Sequence, residues 1–309
     1  MKALITGAGG FVGPHLRAEL LAHGDQVIAV DRHDGPDLLC PNDWRQLVAH
    51  ERPDVVYHLA GWSDVGASWQ HPHDTFALNI MGTAAVLEAS AQADVQRCVV
   101  ISSADVYGVV TPTDLPLRET RTPAPRSPYG ASKRCTEDLA MSYWLGRGLP
   151  TIIVRPFNHF GPGQSARFAV PAFAQQIAEA EQGGHPELRH GDLSAQRDFT
   201  DVRDVVAAYR RLATDGEPGE IYNVCTGRAV AMQAILDQLL ALALVPIRSE
   251  VDPTRLRPIE LPVLQGSMEK IHTTVGWEPR YDLPQTLQDV LNDARRAVGQ
   301  QHPVSPPAS

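Results

Sequence analysis

The sequence predicts an α/β fold in which a doubly wound parallel sheet is joined to a smaller C-terminal lobe. Short apolar runs alternate with helical stretches through the first half of the chain, as parallel strands do when helices connect and cover them. A glycine-rich turn, GAGGFVG, stands between the first apolar run and the first helical stretch. A glycine turn in that place is typical of Rossmann-type sheets, so we expect this version of the α/β fold.

Six segments are expected to form the sheet, and each of the first five is continuously apolar, as strands covered on both faces are. The predicted strands occupy 3–6, 26–30, 55–59, 98–102, 151–154 and 221–224. The predicted helices occupy 11–22, 44–50, 75–91, 129–145 and 202–212. In the first helix, Val12, Leu16 and Leu20 recur one turn apart and form a single apolar stripe that faces the sheet.

The character of the sequence changes after Pro156, where glycine and proline become frequent and polar segments such as HGDLSAQRDFTD appear. We therefore expect 1–156 to form a dinucleotide-binding domain, to which part of 191–230 returns. Residues 157–299 are expected to form mainly the substrate-binding lobe. The Pro/Ser-rich residues 300–309 are predicted to be a flexible tail.

Charge and hydropathy exclude several classes of protein. The chain has 27 basic and 36 acidic residues, a formal charge of −9, so no basic field exists to hold nucleic acid or an acidic membrane surface. The longest apolar run, 239–245, is too short to cross a bilayer. The MKALITG start leads directly into the glycine turn and leaves no room for the apolar core of a signal peptide. A cytoplasmic protein is predicted.

Cysteine and histidine give no sign of a metal centre. The four cysteines lie too far apart for a CxxC pair or a zinc cluster, which predicts reduced thiols. The twelve histidines show no spacing that suggests metal ligands. We therefore expect no metal.

The glycine turn predicts a dinucleotide site. Gly7, Gly10 and Gly13 form a GxxGxxG pattern between a strand and an amphipathic helix, with Phe11 and Val12 inside it. Glycine at these positions permits a tight turn, a close approach of backbone to a pyrophosphate, and close helix–sheet contact. The N-terminus of the helix offers free N–H groups to the same anion.

The end of the second predicted strand bears on which dinucleotide is bound. Asp31 stands there, and a carboxylate in this position accepts hydrogen bonds from the ribose hydroxyls of NAD and repels a 2′-phosphate. Arg32 follows directly, and its guanidinium offers an alternative partner for the 2′-phosphate of NADP. The sequence thus favours NAD(H) over NADP(H) and leaves both open.

A Ser–Tyr–Lys set predicts acid–base chemistry. Ser127 and Pro128 are a natural N-cap and first helical residue, which places Tyr129 in the first turn of a helix. Lys133 lies four residues later on the same face, and a nearby ammonium is expected to lower the pKa of the tyrosine. Ser103, at the end of the preceding strand, is placed to hydrogen-bond the same substrate oxygen. The alternative is a solvated Tyr/Lys surface pair.

These residues resemble a known family, the extended short-chain dehydrogenases/reductases of the NAD-dependent epimerase/dehydratase group, which act on nucleotide sugars. The resemblance covers nearly the whole chain. Its motifs are GAGGFVG at 7–13, HLAG at 58–61, Asn79, SSADVYG at 102–108, YGASK at 129–133, RPFNHFGPGQ at 155–164 and RDFTDVRD at 197–204. It implies that Tyr129 exchanges a proton with the substrate, that Lys133 holds the nicotinamide ribose, and that Ser103 orients the substrate oxygen.

The resemblance also implies two sets of binding residues. The cofactor set comprises Gly7, Gly10, Phe11, Val12, Gly13, Asp31, Arg32, Leu59, Ala60, Asn79, Tyr129 and Lys133. The substrate set comprises Ser103, Asp105, Asn158, Arg197 and Arg257. Both arginines match phosphate-side positions, where a guanidinium binds phosphate oxygens bidentately. The alternative for Arg197 is pairing with Asp198, Asp201 or Asp204 within one turn.

Several stretches look most like GDP-4-keto-6-deoxy-D-mannose reductases, which implies reduction of the 4-keto group of a GDP-linked 6-deoxy sugar, of the kind that gives GDP-D-rhamnose. These stretches are VGASWQHP at 65–72, GDLSAQRDFTDVRDVVAAY at 191–209 and YNVCTGRAV at 222–230. A 4-epimerase with tightly bound NAD is the main alternative, and an NAD-responsive binding protein without activity is another. Dehydration is disfavoured because the dehydratases carry a Thr-Asp-Glu or Thr-Ser-Glu sequence where this chain has Ser103, Ala104 and Asp105.

The resemblance implies a homodimer as well. The helices expected at 75–91 and 129–145 are the ones through which the family usually pairs. Ala84, Ala85, Ala89 and Ala140 permit close helix packing there, although they suit the face toward the sheet equally well.

Overall fold

A computed structural model of the chain describes residues 1–256 and 262–301. The first half contains β1 (Lys2–Thr6), α1 (Val12–Ala22), β2 (Gln26–Val30), α2 (Pro41–Glu51), β3 (Val55–His58), α3 (Val65–Ser68), α4 (Pro72–Phe76), α5 (Gly82–Gln92), β4 (Arg97–Ile101), α6 (Pro128–Arg147) and β5 (Thr151–Pro156). The second half contains β6 (Asn158–Phe160), α7 (Ala169–Glu181), β7 (Glu187–His190), β8 (Gln196–Asp201), α8 (Val202–Asp215), β9 (Ile221–Val224), β10 (Ala229–Ala231), α9 (Met232–Ala241), β11 (Arg248–Val251), β12 (Val263–Leu264), α10 (Glu269–Val275) and α11 (Leu283–Gln301).

The main sheet is parallel throughout, with the strand order β2-β1-β3-β4-β5-β9. The strand order changes direction at β1: β2 is added on one side of it and β3 on the other. Thr6 of β1 accordingly pairs with Val30 on one side and with His58 on the other. Ligands of such sheets bind outside the carboxyl ends of the strands at this reversal. The Rossmann-type α/β prediction is therefore confirmed, and the topology locates the cleft beyond Thr6.

Helices cover both faces of the sheet because successive side chains of a strand point to opposite faces. On β1, Ile5 is buried in one apolar cluster with Leu16 and Leu20 of α1, while Leu4 is buried in another with Trp44 of α2. A third apolar cluster, built mainly from α7, α9 and α11, forms the core of the C-terminal lobe.

Two predicted elements differ from the structure. The edge strand β2 is not covered on both faces, since Gln26 and Ala29 are exposed at the end of the sheet. The helix expected over 75–91 is divided into α4, a π-helical turn at Ala77–Met81, and α5. A π turn inserts one extra residue and is common near functional sites. Here the turn carries Asn79, whose buried amide bonds the backbone of Trp62.

The C-terminal lobe is built around β8, which pairs with β6, β10 and β12. β9 lies between the strands of this lobe in sequence but belongs to the main sheet. Arg257 and residues 302–309 of the predicted tail lie outside the described residues. Among the described helices, none is both long and apolar enough to span a membrane.

Candidate active site

The glycine turn after β1 is packed so tightly that two of its glycines have no room for a side chain. Gly7 has a φ of 70°, and a Cβ there would lie 2.8 Å from the backbone of Ala60. A Cβ on Gly13 would lie 2.1 Å from the carbonyl oxygen of Ala8. These contacts bring the turn against the loop after β3 and against the start of α1. Glycine-rich turns of this kind allow backbone to approach a pyrophosphate closely.

The first turn of α1 presents its N–H groups without a side-chain cap. The helix begins at Val12, and the preceding Phe11 makes no capping hydrogen bond. An anion bound at the glycine turn therefore meets unsatisfied donors and the positive end of the helix dipole. The Phe11 ring also stacks on His159 of β6, with the ring centroids 6.1 Å apart, so the turn directly contacts the C-terminal lobe.

Asp31 lies over the glycine turn. Its carboxylate accepts a hydrogen bond of 3.0 Å from the backbone N–H of Gly9, and a Cβ on Gly9 would clash with it. The neighbouring Arg32 is exposed and donates to the ring of His33 instead. The carboxylate is thus held beside the turn, at the place expected for the adenosine ribose of a dinucleotide, and the residues present fit that group.

The loop after β3 forms the opposite wall of the cleft. Leu59 and Ala60 donate their backbone N–H groups to the carbonyl and hydroxyl oxygens of Thr6, which fixes them beside the glycine turn. Asn79 accepts from the Trp62 N–H at 2.6 Å and donates to the Ser132 hydroxyl at 2.8 Å. The Asn79 amide therefore links the loop after β3 to α6. Its contact with a cofactor stays a prediction.

The Ser–Tyr–Lys set is brought together at the mouth of this cleft. Ser127 caps α6 by accepting from the Gly130 N–H, so Tyr129 lies in the first turn as the sequence indicated. Tyr129 and Lys133 are both buried, and the Lys133 ammonium lies 5.9 Å from the centroid of the Tyr129 ring. The alternative of a solvated surface pair is therefore wrong.

Lys133 is tied to the strand that carries Ser103. Its Nζ donates a 2.8 Å hydrogen bond to the carbonyl oxygen of Ile101, the last residue of β4. Burial lowers the pKa of Lys133 to about 8. One hydrogen bond thus joins α6 to the end of β4, two residues before Ser103.

The expected lowering of the Tyr129 pKa is wrong in this structure. Burial raises the pKa of Tyr129 well above its usual value, the carboxylate of Asp105 raises it further, and a hydrogen bond with Ser103 opposes both effects. The reason is that the phenol is enclosed and lies close to a negative charge, whereas the Lys133 ammonium is directed to a backbone carbonyl. The phenol of Tyr129 is consequently neutral throughout the physiological range.

Asp105 and Arg197, both members of the predicted substrate set, lie close enough to interact. Burial lowers the pKa of Arg197, and the negative charge of Asp105 opposes this effect. Asp198, Asp201 and Asp204, the alternative partners of Arg197, are bonded elsewhere: to the Thr226–Gly227 turn, to Arg203 and to the Tyr281 backbone, respectively. Asn158 is exposed at the start of β6, while Arg257 lies outside the described residues.

A buried ion pair behind the site was missed by the sequence reasoning. Glu137 of α6 and Arg155 of β5 form a bidentate pair with both contacts at 2.7 Å. Arg155 is the first residue of RPFNHFGPGQ, and Glu137 lies one helical turn after Lys133 of YGASK, so a charge in or near each motif was the available signal. Sequence alone does not reveal that the two charges are enclosed together.

Comparison with known proteins agrees with the geometry. The chain is 38% identical over 294 residues to GDP-6-deoxy-D-mannose reductase of Pseudomonas aeruginosa, covering 94% of this chain and 96% of that protein. It superposes on the structure of RMD from Pseudomonas aeruginosa complexed with NADPH with a TM-score of 0.88, at 35% identity, covering 96% of this chain and all of the other. It superposes on Thermus thermophilus UDP-glucose 4-epimerase in complex with NAD with a TM-score of 0.85, at 29% identity and the same coverage.

The family model described as "NAD dependent epimerase/dehydratase family" matches residues 3–225. This range includes the glycine turn, the Ser–Tyr–Lys set and Arg197. This match agrees with the glycine turn and with the arrangement of the Ser–Tyr–Lys set. The chain therefore belongs to the NAD-dependent epimerase/dehydratase family.

Proposed function

We propose that this protein is an NAD(P)H-dependent reductase of the 4-keto group of a nucleotide-activated 6-deoxy sugar, with conversion of GDP-4-keto-6-deoxy-D-mannose to GDP-D-rhamnose as the favoured reaction. The proposal depends mainly on one observation: Ser103, Tyr129 and Lys133 lie close together near the glycine turn, which fits a dinucleotide. The identity to a GDP-6-deoxy-D-mannose reductase supports the choice of substrate.

The side chains are arranged for reduction. A bound nicotinamide cofactor supplies the hydride that reduces the carbonyl carbon. Tyr129 donates its phenolic proton to the carbonyl oxygen, which requires the protonated form that its raised pKa maintains. The Ser103 hydroxyl hydrogen-bonds the same oxygen and orients it. The Lys133 ammonium stabilises the phenolate that remains until a solvent proton restores it.

The binding roles follow from the position of each group. The turn containing Gly7, Gly10 and Gly13 receives the pyrophosphate of the cofactor, and Asp31 its ribose. Arg197 receives the diphosphate of the nucleotide sugar, since its guanidinium lies close enough to interact with Asp105, two residues after Ser103. The 1–156 part then acts as the cofactor domain, with 157–299 mainly holding the sugar nucleotide.

Dehydration requires an acid/base pair that this site lacks. Ala104 offers only a methyl group, and the Asp105 carboxylate is shorter by one methylene than the glutamate of the dehydratase pattern. The Asp105 carboxylate is also bonded to the Ser103 hydroxyl. A retracted and engaged carboxylate reaches a sugar proton poorly.

The proposal is tested by mixing the protein with freshly made GDP-4-keto-6-deoxy-D-mannose and either NADH or NADPH. We expect substrate-dependent loss of the reduced nicotinamide absorbance and one 6-deoxyhexose product by NMR. The Tyr129→Phe variant should bind cofactor but lose turnover, whereas Tyr143→Phe, on the same helix and bonded to Glu88, should retain it. No oxidation, with NAD retained in the purified protein and interconversion of UDP- or GDP-hexoses, would instead identify a 4-epimerase.

A homodimer through α5 and α6 is part of the same proposal. Phe76 and Met81 are large apolar side chains left exposed on the segment that leads into α5, and this segment packs against α6. Exposed apolar side chains of this kind favour burial against a second copy. Light scattering of the purified protein should give twice the chain mass, and Met81→Glu should reduce it to the monomer.

A cytoplasmic location is likewise proposed. The four cysteines are all unpaired, and two of them, Cys40 and Cys135, are exposed. Exposed free thiols persist in a reducing compartment. Fractionation of cells that express the protein should place the reductase activity in the cytosolic fraction.

A further inference from the structure

Glu137 is a buried carboxylate directly behind the Ser–Tyr–Lys set. It lies one helical turn after Lys133 on α6, and its side chain is 2% exposed. Its Oε1 accepts a 2.6 Å hydrogen bond from the hydroxyl of Ser102, the residue before Ser103. The carboxylate therefore connects the helix that carries Tyr129 and Lys133 to the segment that carries Ser103.

Arg155 of β5 completes this connection. Its guanidinium donates to both oxygens of Glu137 at 2.7 Å, and its side chain is 1% exposed. The guanidinium also lies over the ring of Tyr107, with its Cζ 4.8 Å from the ring centroid. Tyr107 belongs to the short 3₁₀ helix that follows Ser103. The Tyr107 hydroxyl in turn donates to Asn223 of β9 at 2.7 Å.

Stability alone does not account for such a pair. Removing two charges from water carries a large desolvation penalty, and well-packed apolar residues of similar volume often replace a buried ion pair with little or no loss of stability. An apolar pair does not reproduce the directional hydrogen bonds of the ion pair. Two parallel N–H···O bonds from Arg155 fix the separation and the rotation of α6 relative to β5, and the Ser102 bond ties the same carboxylate to the segment that follows β4.

We propose that Glu137 is a positioning residue that, through Arg155 and Ser102, sets the distance between the Ser103 hydroxyl and the Tyr129 phenol. The Lys133 bond to the Ile101 carbonyl spans the same gap between α6 and β4, one helical turn away. The gap is thus held at two levels, by Lys133 within the site and by Glu137 behind it. The kinetic part of this inference rests on the proposed reductase function.

The test is the double variant Glu137→Leu/Arg155→Met, which removes both charges together and leaves neither unpaired. We expect a melting temperature close to that of the parent and an unchanged KM for the cofactor. The value of kcat should fall about a hundredfold, the scale expected when reacting groups are misplaced by about 1 Å. Ser102→Ala, which removes only the bond to β4, should lower kcat by a smaller factor.

The C-terminal lobe offers a matched control. Glu181 and Arg295 form a pair with the same bidentate geometry, again with both contacts at 2.7 Å, between α7 and α11. Glu181→Leu/Arg295→Met should leave kcat unchanged. If the Glu137/Arg155 double variant is as stable as the parent and equally active, the positioning role is refuted. If the two double variants lose activity equally, the loss is a general effect of apolar replacement and the inference also fails.

A second measurement does not depend on the substrate. The chain has only three lysines, Lys2, Lys133 and Lys270, so isotope-labelled lysine gives three side-chain NMR signals. Lys133, assigned through Lys133→Met, should titrate in the parent with the pKa of about 8 to which burial lowers it. Burial is what lowers this pKa, so the Glu137/Arg155 double variant should move it toward that of an ordinary lysine as the loosened gap between α6 and β4 admits water to the ammonium, and an unmoved value contradicts the proposal. An inactive parent with a moved pKa would overturn the reductase function while supporting the positioning role.

Discussion

The Ser103 hydroxyl donates a hydrogen bond of 2.9 Å to the carboxylate of Asp105. The oxygen of the same hydroxyl accepts from the Asp105 N–H at 3.1 Å, so both bonds hold it in one orientation. A hydroxyl has a single proton to donate. For Ser103 to donate to a carbonyl oxygen of the substrate, that proton must leave Asp105. Under the proposed function, Asp105 and the substrate oxygen therefore compete for the proton of Ser103.

Ser103→Ala removes the donor that orients the substrate oxygen. We expect kcat to fall by about 10² to 10³, as it does when one donor to a developing oxyanion is lost. Ser103→Thr keeps a hydroxyl on the same atom and should recover part of the rate. Steady-state kinetics and cofactor titration measure both variants, and an Ala variant with the parent kcat would remove Ser103 from the mechanism.

The pH dependence should report Lys133. Since burial lowers its pKa to about 8, kcat/KM for reduction should decline as the pH rises through 8 and the ammonium loses its proton. Lys133→Arg remains charged well above this range, so its lower activity should show no decline near pH 8. A decline that persists unchanged in the Arg variant would assign it to another group.

The same shift affects stability in the cofactor-free protein. The folded pKa of Lys133 is depressed below the ordinary value of 10.5, so between these two values the unfolded chain binds more protons than the folded chain. The contribution of Lys133 to the free energy of unfolding is therefore fully present above pH 10.5 and is lost as the pH falls toward 8. Denaturant unfolding of the parent and of Lys133→Met across this range should show the difference, with the parent gaining more stability as pH rises.

Cofactor preference should depend on Asp31. Its carboxylate, held at the glycine turn by Gly9, repels a 2′-phosphate. Asp31→Asn is expected to raise the affinity for NADPH relative to NADH by about tenfold, equivalent to about 1.4 kcal/mol. Arg32→Ala serves as the comparison, since loss of NADPH binding in that variant alone would show that Arg32 receives the phosphate. An unchanged ratio in both variants would place the discriminating group elsewhere.

Substrate affinity should depend on Arg197. Replacing it by Lys keeps the charge but removes bidentate binding, so the KM for the nucleotide sugar should rise by about ten- to hundredfold with little change in kcat. Arg228 is exposed on the neighbouring turn before β10 and provides a control, because Arg228→Lys should leave KM unchanged. Equal effects of the two substitutions would indicate a general loss of positive charge instead of a specific phosphate contact.

Many features of the fold and of the candidate site could be predicted from local sequence patterns. The apolar runs, the GxxGxxG turn and the Ser127–Pro128 start of α6 each depend on residues close together in sequence. Local backbone sterics and capping determine these features, so the strands, the turn and the place of Tyr129 in its helix could be predicted. The break in 75–91 was not predicted, and the π turn there carries a contact of Asn79 with Trp62, which lies on another segment.

The sequence by itself determined the sheet, the glycine turn after β1 and the place of Tyr129 and Lys133 on one helix, because spacing and residue type specify them. Only the tertiary structure decided how those residues ionise and what holds them in place. It raises the Tyr129 pKa where the spacing suggested lowering, and it encloses Glu137 with Arg155 behind the site. Both outcomes depend on desolvation and on charges brought together by packing, and neither is a property of residues adjacent along the chain.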